Sequence, residues 1–101
     1  MRASRTDANQ KRIVAALRKA GASVYVGSAI KSGFPDLIVG YAGRTFLCEV
    51  KDGSKPPSAR QLTPDQQEFV KNWKGDWTLI ESVEDVQHFI AQADYDAQEW
   101  R

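Results

Sequence analysis

Three charged residues stand at the ends of two apolar, strand-like runs. Asp36 opens the run Asp-Leu-Ile-Val-Gly-Tyr, and Glu49 and Lys51 close the run that follows it. Side chains alternate between the two faces of a strand, so Glu49 and Lys51 share one face while Val50 points to the other. Charges on the face of a central strand are costly unless they are paired or bind an ion. These residues are therefore the first candidates for a functional site.

The spacing of the two runs predicts that the acids meet. The dipeptide Ala42-Gly43 between the runs suits a tight hairpin, and it lies midway between Asp36 and Glu49. In an antiparallel hairpin centred there, the start of one strand lies beside the end of the other. Asp36 is then expected opposite Glu49 at one edge of the sheet.

Two carboxylates and a lysine on one face suit the hydrolysis of phosphodiester bonds. Carboxylate oxygens can bind Mg²⁺ or Mn²⁺ with water positions left open, and the backbone carbonyl of Val50 can complete the shell. The ion lowers the pKa of a bound water and stabilises charge on a phosphoryl oxygen. Lys51 can orient or help to deprotonate the attacking water, or neutralise the transition state. A structural explanation also exists, with Glu49 and Lys51 on an exposed edge and Asp36 capping a turn.

The elements that must position these residues follow from the apolar periodicity. Thr63-Pro64-Asp65-Gln66 has the pattern of a capping box at the start of a helix. Seven elements are predicted in the order α-β-β-β-α-β-α, over residues 7–20, 23–27, 36–41, 44–51, 64–74 and 77–81, and in a third helix after Ser82 whose polar end or tail begins at residue 94.

This order predicts an α/β fold with a mixed central β-sheet flanked by helices. The last strand is expected to run parallel to a central strand, through a right-handed crossover made by the second helix. Trp73 and Trp77, on either side of the turn between that helix and the last strand, are predicted to be core residues.

Length and composition limit the class of protein. The 101 residues predict one domain with its core over about residues 7–93. Fourteen Lys and Arg against thirteen Asp and Glu give a net charge of +1, which excludes a polycationic binder and requires any nucleic-acid contact to be a local patch. One cysteine excludes an internal disulfide or a Cys-cluster zinc site. No apolar run approaches the ~20 residues of a membrane span, and no secretory signal is visible, so we expect a cytoplasmic protein without an organic cofactor.

The motifs, taken together, resemble those of a known nuclease family. The chain carries Gly33-x-Pro35-Asp36-Leu37-Ile38-Val39, then Glu49-Val50-Lys51, then Leu62-Thr63-Pro64-Asp65-Gln66 followed by Phe69 and Trp73. Over roughly residues 7–90 it resembles the VRR-NUC (virus-type replication-repair nuclease) domain of the PD-(D/E)xK nuclease superfamily.

The resemblance implies a PD-(D/E)xK restriction-endonuclease-like fold and a nuclease that depends on Mg²⁺ or Mn²⁺. Asp36, Glu49 and Lys51 would form the active-site core, and Gln66 matches the family's glutamine near the site. Stand-alone members resemble Holliday junction resolvases and tend to be dimeric. The expected substrate is therefore branched, flap or Holliday-junction-like DNA, cut by a homodimer encoded by a bacterium or bacteriophage.

One position departs from the family pattern. Members commonly carry a glutamate on the first helix that joins the metal shell, and here the best match is Asp7, one methylene shorter. Asp7 is either the N-cap of that helix or a third metal ligand, and both readings stay open.

Three basic residues are the candidates for contacting DNA. Lys31, Lys55 and Arg60 lie in or near loops rich in Gly, Ser and Pro beside the predicted site, where phosphates could pass. Two other kinds of protein remain possible. One is a non-catalytic DNA- or protein-binding module on the same fold, and the other is an assembly protein that presents Trp100 to a partner.

Overall fold

The computed structural model of this chain describes the backbone of residues 5–99 and the side chains of residues 8–99. Within this part, three α-helices, four strands and one 3₁₀ turn follow the predicted order, which is thereby confirmed. In chain order they are α1 (Arg5–Lys19), β1 (Ser23–Val26), β2 (Leu37–Tyr41), β3 (Arg44–Val50), the 3₁₀ turn (Pro57–Ala59), α2 (Pro64–Asn72), β4 (Trp77–Ile80) and α3 (Val83–Glu99).

The strands form one mixed sheet in the order β1-β2-β3-β4. The first three are antiparallel neighbours, and β4 is parallel to β3, as predicted. The β2–β3 hairpin turns at Ala42 and Gly43, whose φ angles of 53° and 77° are both positive. Two positive φ angles are the signature of a two-residue turn whose twist matches that of the strands. The turn therefore sets the register of the whole hairpin.

One face of the sheet carries the hydrophobic core. Ile13 and Leu17 of α1 and Val86 and Ala93 of α3 are buried in it, together with strand residues of one alternation class. Those strand residues are Val24, Leu37, Val39, Phe46, Cys48, Val50 and Ile80. Their common face follows from the register, since partners across a sheet point to the same side. The helices α1 and α3 thus cover one face, and Glu49 lies on the other.

The buried thiol of Cys48 belongs to this core. Its side chain is fully buried, and burial raises its pKa to about 12. A thiol in this state is a small apolar filler and not a nucleophile at neutral pH.

The second helix begins as predicted and ends earlier. Thr63 Oγ1 accepts a hydrogen bond from the Gln66 amide at 3.2 Å, and Gln66 Oε1 accepts one from the Thr63 amide at 2.9 Å, so the capping box is confirmed. The helix stops at Asn72 and not at residue 74. The prediction that Trp73 is a core residue is wrong, since 42% of it is exposed beside the end of this helix.

The third helix extends through the segment for which a polar end or tail is predicted. It continues to Glu99, whereas Trp100 lies outside the described residues. None of the helices described between residues 5 and 99 is long and apolar enough to cross a membrane.

Candidate functional site

The fold brings Asp36 and Glu49 together, as the hairpin register predicts. Leu37 pairs with Cys48, so the residue before β2 lies opposite the penultimate residue of β3. Asp36 Oδ2 accepts a hydrogen bond of 2.9 Å from the backbone amide of Val50, which holds the carboxylate at the end of β3. The two acids therefore lie side by side at the end of the β2–β3 hairpin that is opposite its turn.

Lys51 and Gln66 complete this cluster. Lys51 Nζ donates to Gln66 Oε1 at 2.9 Å, and Gln66 Nε2 donates to Glu49 Oε2 at 3.0 Å. The amide of Gln66 thus links the amine of Lys51 to the carboxylate of Glu49. Because Gln66 also belongs to the capping box with Thr63, the start of α2 is held against the end of β3. The resemblance-based expectation that Gln66 lies near the acids agrees with this geometry.

These side chains open into a small cleft of about 190 Å³. We refer to it as the Asp36–Glu49 cleft. It is lined by the backbone and side chains of Asp36, Glu49, Val50, Lys51, Asp52, Lys55, Ala59 and Gln66. Six of these residues come from the end of β3 and from the segment between β3 and α2. The lining is mostly polar, which suits a charged ligand.

Burial governs the electrostatics of the cleft. Glu49 is only 2% exposed, and this burial, together with the neighbouring Asp36 carboxyl, raises the pKa of Glu49 above its usual range. The Lys51 amine acts in the opposite direction without cancelling the shift. Two acids facing each other in a desolvated site repel when both are ionised. A cation between them would remove that repulsion.

The donor set fits a hard divalent cation. Carboxylate oxygens and a strand carbonyl are the ligands that Mg²⁺ and Mn²⁺ prefer. Among the described residues, protein donors are found for one oxygen of each acid, Asp36 Oδ2 and Glu49 Oε2. In this same part of the chain, no group of three or more His, Cys, Asp and Glu side chains is arranged to hold an ion. An ion in the cleft would rely on two carboxylates, with backbone and water oxygens completing its shell.

The predicted third ligand cannot be placed. The N-cap interpretation of Asp7 is wrong, because α1 begins at Arg5 and Asp7 is its third residue. The side chain of Asp7 falls outside the residues whose side chains are described. Further along the same helix, Ile13 and Leu17 are buried in the core. The amino-terminal end of α1 is held to the sheet by a residue that the sequence analysis did not assign.

That residue is Asn9. It is 7% exposed, and its Nδ2 donates to the carbonyl oxygens of Lys51 at 2.9 Å and Glu81 at 3.5 Å. It therefore ties α1 to the backbone of the residue that carries the cleft amine. A signal for it exists in the sequence, because Asn9 stands four residues before Ile13 on the apolar stripe of the helix. A polar residue in line with a buried stripe is expected to need partners.

The three candidate DNA contacts separate in space. Lys55 lines the Asp36–Glu49 cleft. Lys31 lies instead in a groove of about 480 Å³ beside Phe69 and Trp73 on the flank of α2. Arg60 donates to Glu81 Oε2 at 3.1 Å. The structure therefore brings only Lys55 of the three into the cleft, and the phosphate-binding roles of all three stay predictions.

The chain matches no protein-family model, no curated protein sequence and no solved structure.

Proposed function

We propose that this protein is a nuclease that uses Mg²⁺ or Mn²⁺ to hydrolyse DNA phosphodiester bonds. The observation that carries the proposal is the convergence of Asp36, Glu49 and Lys51 on one small polar cleft. Two carboxylates can hold a divalent cation, and an adjacent amine can offset the negative charge of a phosphate beside it. The proposed fold is PD-(D/E)xK restriction-endonuclease-like, and the mixed sheet with helices supports it at the level of architecture.

Each side chain has a defined task in this proposal. Asp36 and Glu49 hold the cation, with the Val50 carbonyl as a further oxygen ligand. The cation, when bound, would lower the pKa of a water and stabilise charge on a phosphoryl oxygen. Lys51 orients the attacking water and offsets negative charge on the phosphate. Gln66 keeps the Lys51 amine and the Glu49 carboxylate in a fixed relation through its two hydrogen bonds.

The proposed substrate is branched, flap or Holliday-junction-like DNA, and the acting form is a homodimer. A net charge of +1 gives one copy little general attraction to DNA. Two copies related by a two-fold axis would double the contribution of Lys55 and match the symmetry of a branched junction. We place the activity in the bacterial cytoplasm, where the protein is encoded either by the bacterium or by an infecting phage. The proposed reaction needs no organic cofactor.

Cleavage of labelled DNA tests the proposal. A four-way junction, a flap and a linear duplex are incubated with the protein in Mg²⁺ or Mn²⁺. The wild type cuts at least one of them, and Lys51→Ala loses roughly 100-fold or more of that rate. Lys74→Ala, which removes an exposed lysine outside the cleft, is the matched control and keeps its activity. Equal rates for wild type and a folded Lys51→Ala would contradict the mechanism.

A non-catalytic DNA- or protein-binding module is the second candidate. The observation that favours it is the small number of metal ligands in the cleft, since no third acidic, His or Cys side chain among the described residues joins Asp36 and Glu49 in a metal-binding group. Calorimetric titration with Mn²⁺ separates the two functions. A nuclease binds the ion through Asp36 and Glu49 and loses the binding heat in Asp36→Asn. A pure binding module shows no heat of Mn²⁺ binding and still binds DNA or a partner protein.

A further inference from the structure

We infer that Arg60 and Glu81 form a pair that holds Lys55 at the Asp36–Glu49 cleft, so that Arg60 is a positioning residue and not a phosphate ligand. The role of Lys55 in DNA binding rests on the proposed function. The pair itself can be tested without DNA.

The guanidinium of Arg60 makes two hydrogen bonds to other parts of the chain. Its Nε donates to the carbonyl oxygen of Lys55 at 2.7 Å, and its Nη1 donates to Glu81 Oε2 at 3.1 Å. The side chains of Arg60 and Glu81 are only 27% and 22% exposed. A planar guanidinium that contacts two acceptors fixes their relative positions. Here it fixes the backbone of Lys55 against the end of β4.

Glu81 is itself held firmly in place. Its amide donates to Asp85 Oδ2 at 2.8 Å, within the first turn of α3. Its carbonyl oxygen accepts from the amide of Gly53 at 3.0 Å, and a Cβ at Gly53 would lie only 2.9 Å from that oxygen. Glu81 therefore holds both ends of the loop from 52 to 60, through its backbone at one end and its carboxylate at the other.

The loop between these ends is built from consecutive turns. The amide of Lys55 donates to Asp52 O at 3.1 Å, and the amide of Ala59 donates to Pro56 O at 2.9 Å. Two prolines in succession further restrict the backbone. Arg60 closes this series on the Lys55 carbonyl. Because Lys55 lines the cleft, this closure fixes the backbone from which its side chain extends.

The charges around Arg60 also argue against a phosphate at that place. It lines a second polar groove of about 500 Å³, which shares only Asp52 with the lining of the cleft. The groove brings together four carboxylates, those of Asp52, Glu81, Glu84 and Asp85, against the two guanidinium groups of Arg12 and Arg60, so acids are in excess. A phosphate entering there would meet these acids, and like charges in proximity repel.

The variant Glu81→Ala gives opposite results for the two roles of Arg60. If Arg60 is a positioning residue, losing Glu81 loosens the loop and weakens binding of a four-way junction by about fivefold. If Arg60 is a phosphate ligand, removing the competing carboxylate frees it and tightens binding. Glu84→Ala removes the same charge from the same groove without breaking the pair, and is the matched control. Binding is measured in EDTA, so that cleavage does not interfere.

Hydrogen exchange tests the pair in the absence of DNA. In Glu81→Ala and in Arg60→Gln, the amides of Lys55, Ala59 and Arg60 exchange about fivefold faster than in the wild type, while Glu84→Ala leaves them unchanged. Unchanged exchange in both variants, or tighter junction binding by Glu81→Ala, overturns the inference. If the wild type binds no DNA, the proposed function fails while the exchange result still decides the role of the pair. Arg60→Gln serves as the second route if Glu81→Ala does not fold.

Discussion

The two ends of the β2–β3 hairpin both gather charged side chains, but they compensate the charges differently. At the turn end, Arg44 contacts Asp76 at 3.0 Å and Asp96 at 3.2 Å, and all three side chains are partly exposed. At the open end, Glu49 is almost completely buried beside Asp36. There the amine of Lys51 reaches Glu49 only through the amide of Gln66.

The difference separates a structural cluster from a candidate functional one. The Arg44 guanidinium satisfies two acids in direct ion pairs and lies 4.6 Å from the centre of the Phe46 ring, so the cluster is complete by itself. The open end is left with an acid whose ionisation the fold opposes. Ionisable groups with strongly shifted pKa values cluster at functional sites, so the open end is the candidate for binding a ligand.

The largest expected contrast between the two ends is in catalysis. Asp36→Asn removes one of the two carboxylates proposed to hold the cation, while its amide oxygen can still accept the hydrogen bond from the Val50 amide. We expect DNA cleavage to fall by at least roughly 100-fold, because several kcal/mol of charge stabilisation are lost. Asp96→Asn, the same chemical change at the turn end, is expected to alter the rate by less than about twofold. Comparable losses in both variants would show that the two ends do not differ in function.

A second contrast is in stability without metal. Glu49→Gln is expected to stabilise the protein by about 1–2 kcal/mol at pH 8 in EDTA, because the fold opposes ionisation of Glu49. Asp96→Asn is expected to destabilise it, since it weakens an ion pair that is already satisfied. Urea denaturation of the three proteins measures both changes.

The pH dependence of this effect has a definite sign. The pKa of Glu49 is raised by folding, so its contribution to stability is fully present below its ordinary value of 4.5 and is lost as the pH rises above it. Glutamine does not ionise, so Glu49→Gln does not lose stability in this way. The difference in the free energy of unfolding between Glu49→Gln and the wild type therefore grows from pH 5 to pH 8. Added Mn²⁺ should reduce or reverse it, because only the carboxylate binds the ion. An advantage that is constant with pH would show that ionisation of Glu49 is not its cause.

The smallest expected effect concerns the turn end itself. Arg44→Met removes both ion pairs and the contact with the Phe46 ring, and is expected to cost about 1 kcal/mol in low salt. The pairs are partly exposed, so the loss should shrink in 1 M NaCl. Urea denaturation at the two salt concentrations measures it. A loss of unfolding free energy that is several times larger and insensitive to salt would contradict this, because it would mean that the charges around Arg44 are shielded from solvent as Glu49 is.

Local chemistry explains which parts of the site could be predicted. The two-residue turn at Ala42 and Gly43 sets the register of the hairpin through local backbone geometry. This register places Asp36 beside Glu49. The alternation of side chains along β3, continued by one residue, places Lys51 on the same face as Glu49. The capping box of α2 depends only on neighbours in the chain, and it forms as predicted.

Contacts between distant segments were not predictable in the same way. The pairing of Arg60 with Glu81 joins residues that are separated by a helix and a strand. The distance of Lys31 from the cleft and the exposure of Trp73 depend on how α2 lies against the sheet. Loop charges look alike in a sequence, because nothing local distinguishes one that meets a carboxylate from one that meets solvent.

The sequence by itself therefore determined the order of the elements, the facing acids and the start of the second helix, since each follows from turn geometry, side-chain alternation or a local cap. Only the tertiary structure decided that Gln66 connects Lys51 to Glu49 and that Lys55, and not Lys31, lines the cleft. The physical reason is that these relations form when the crossover from β3 through α2 to β4 closes, which packs distant segments whose contacts no local pattern encodes.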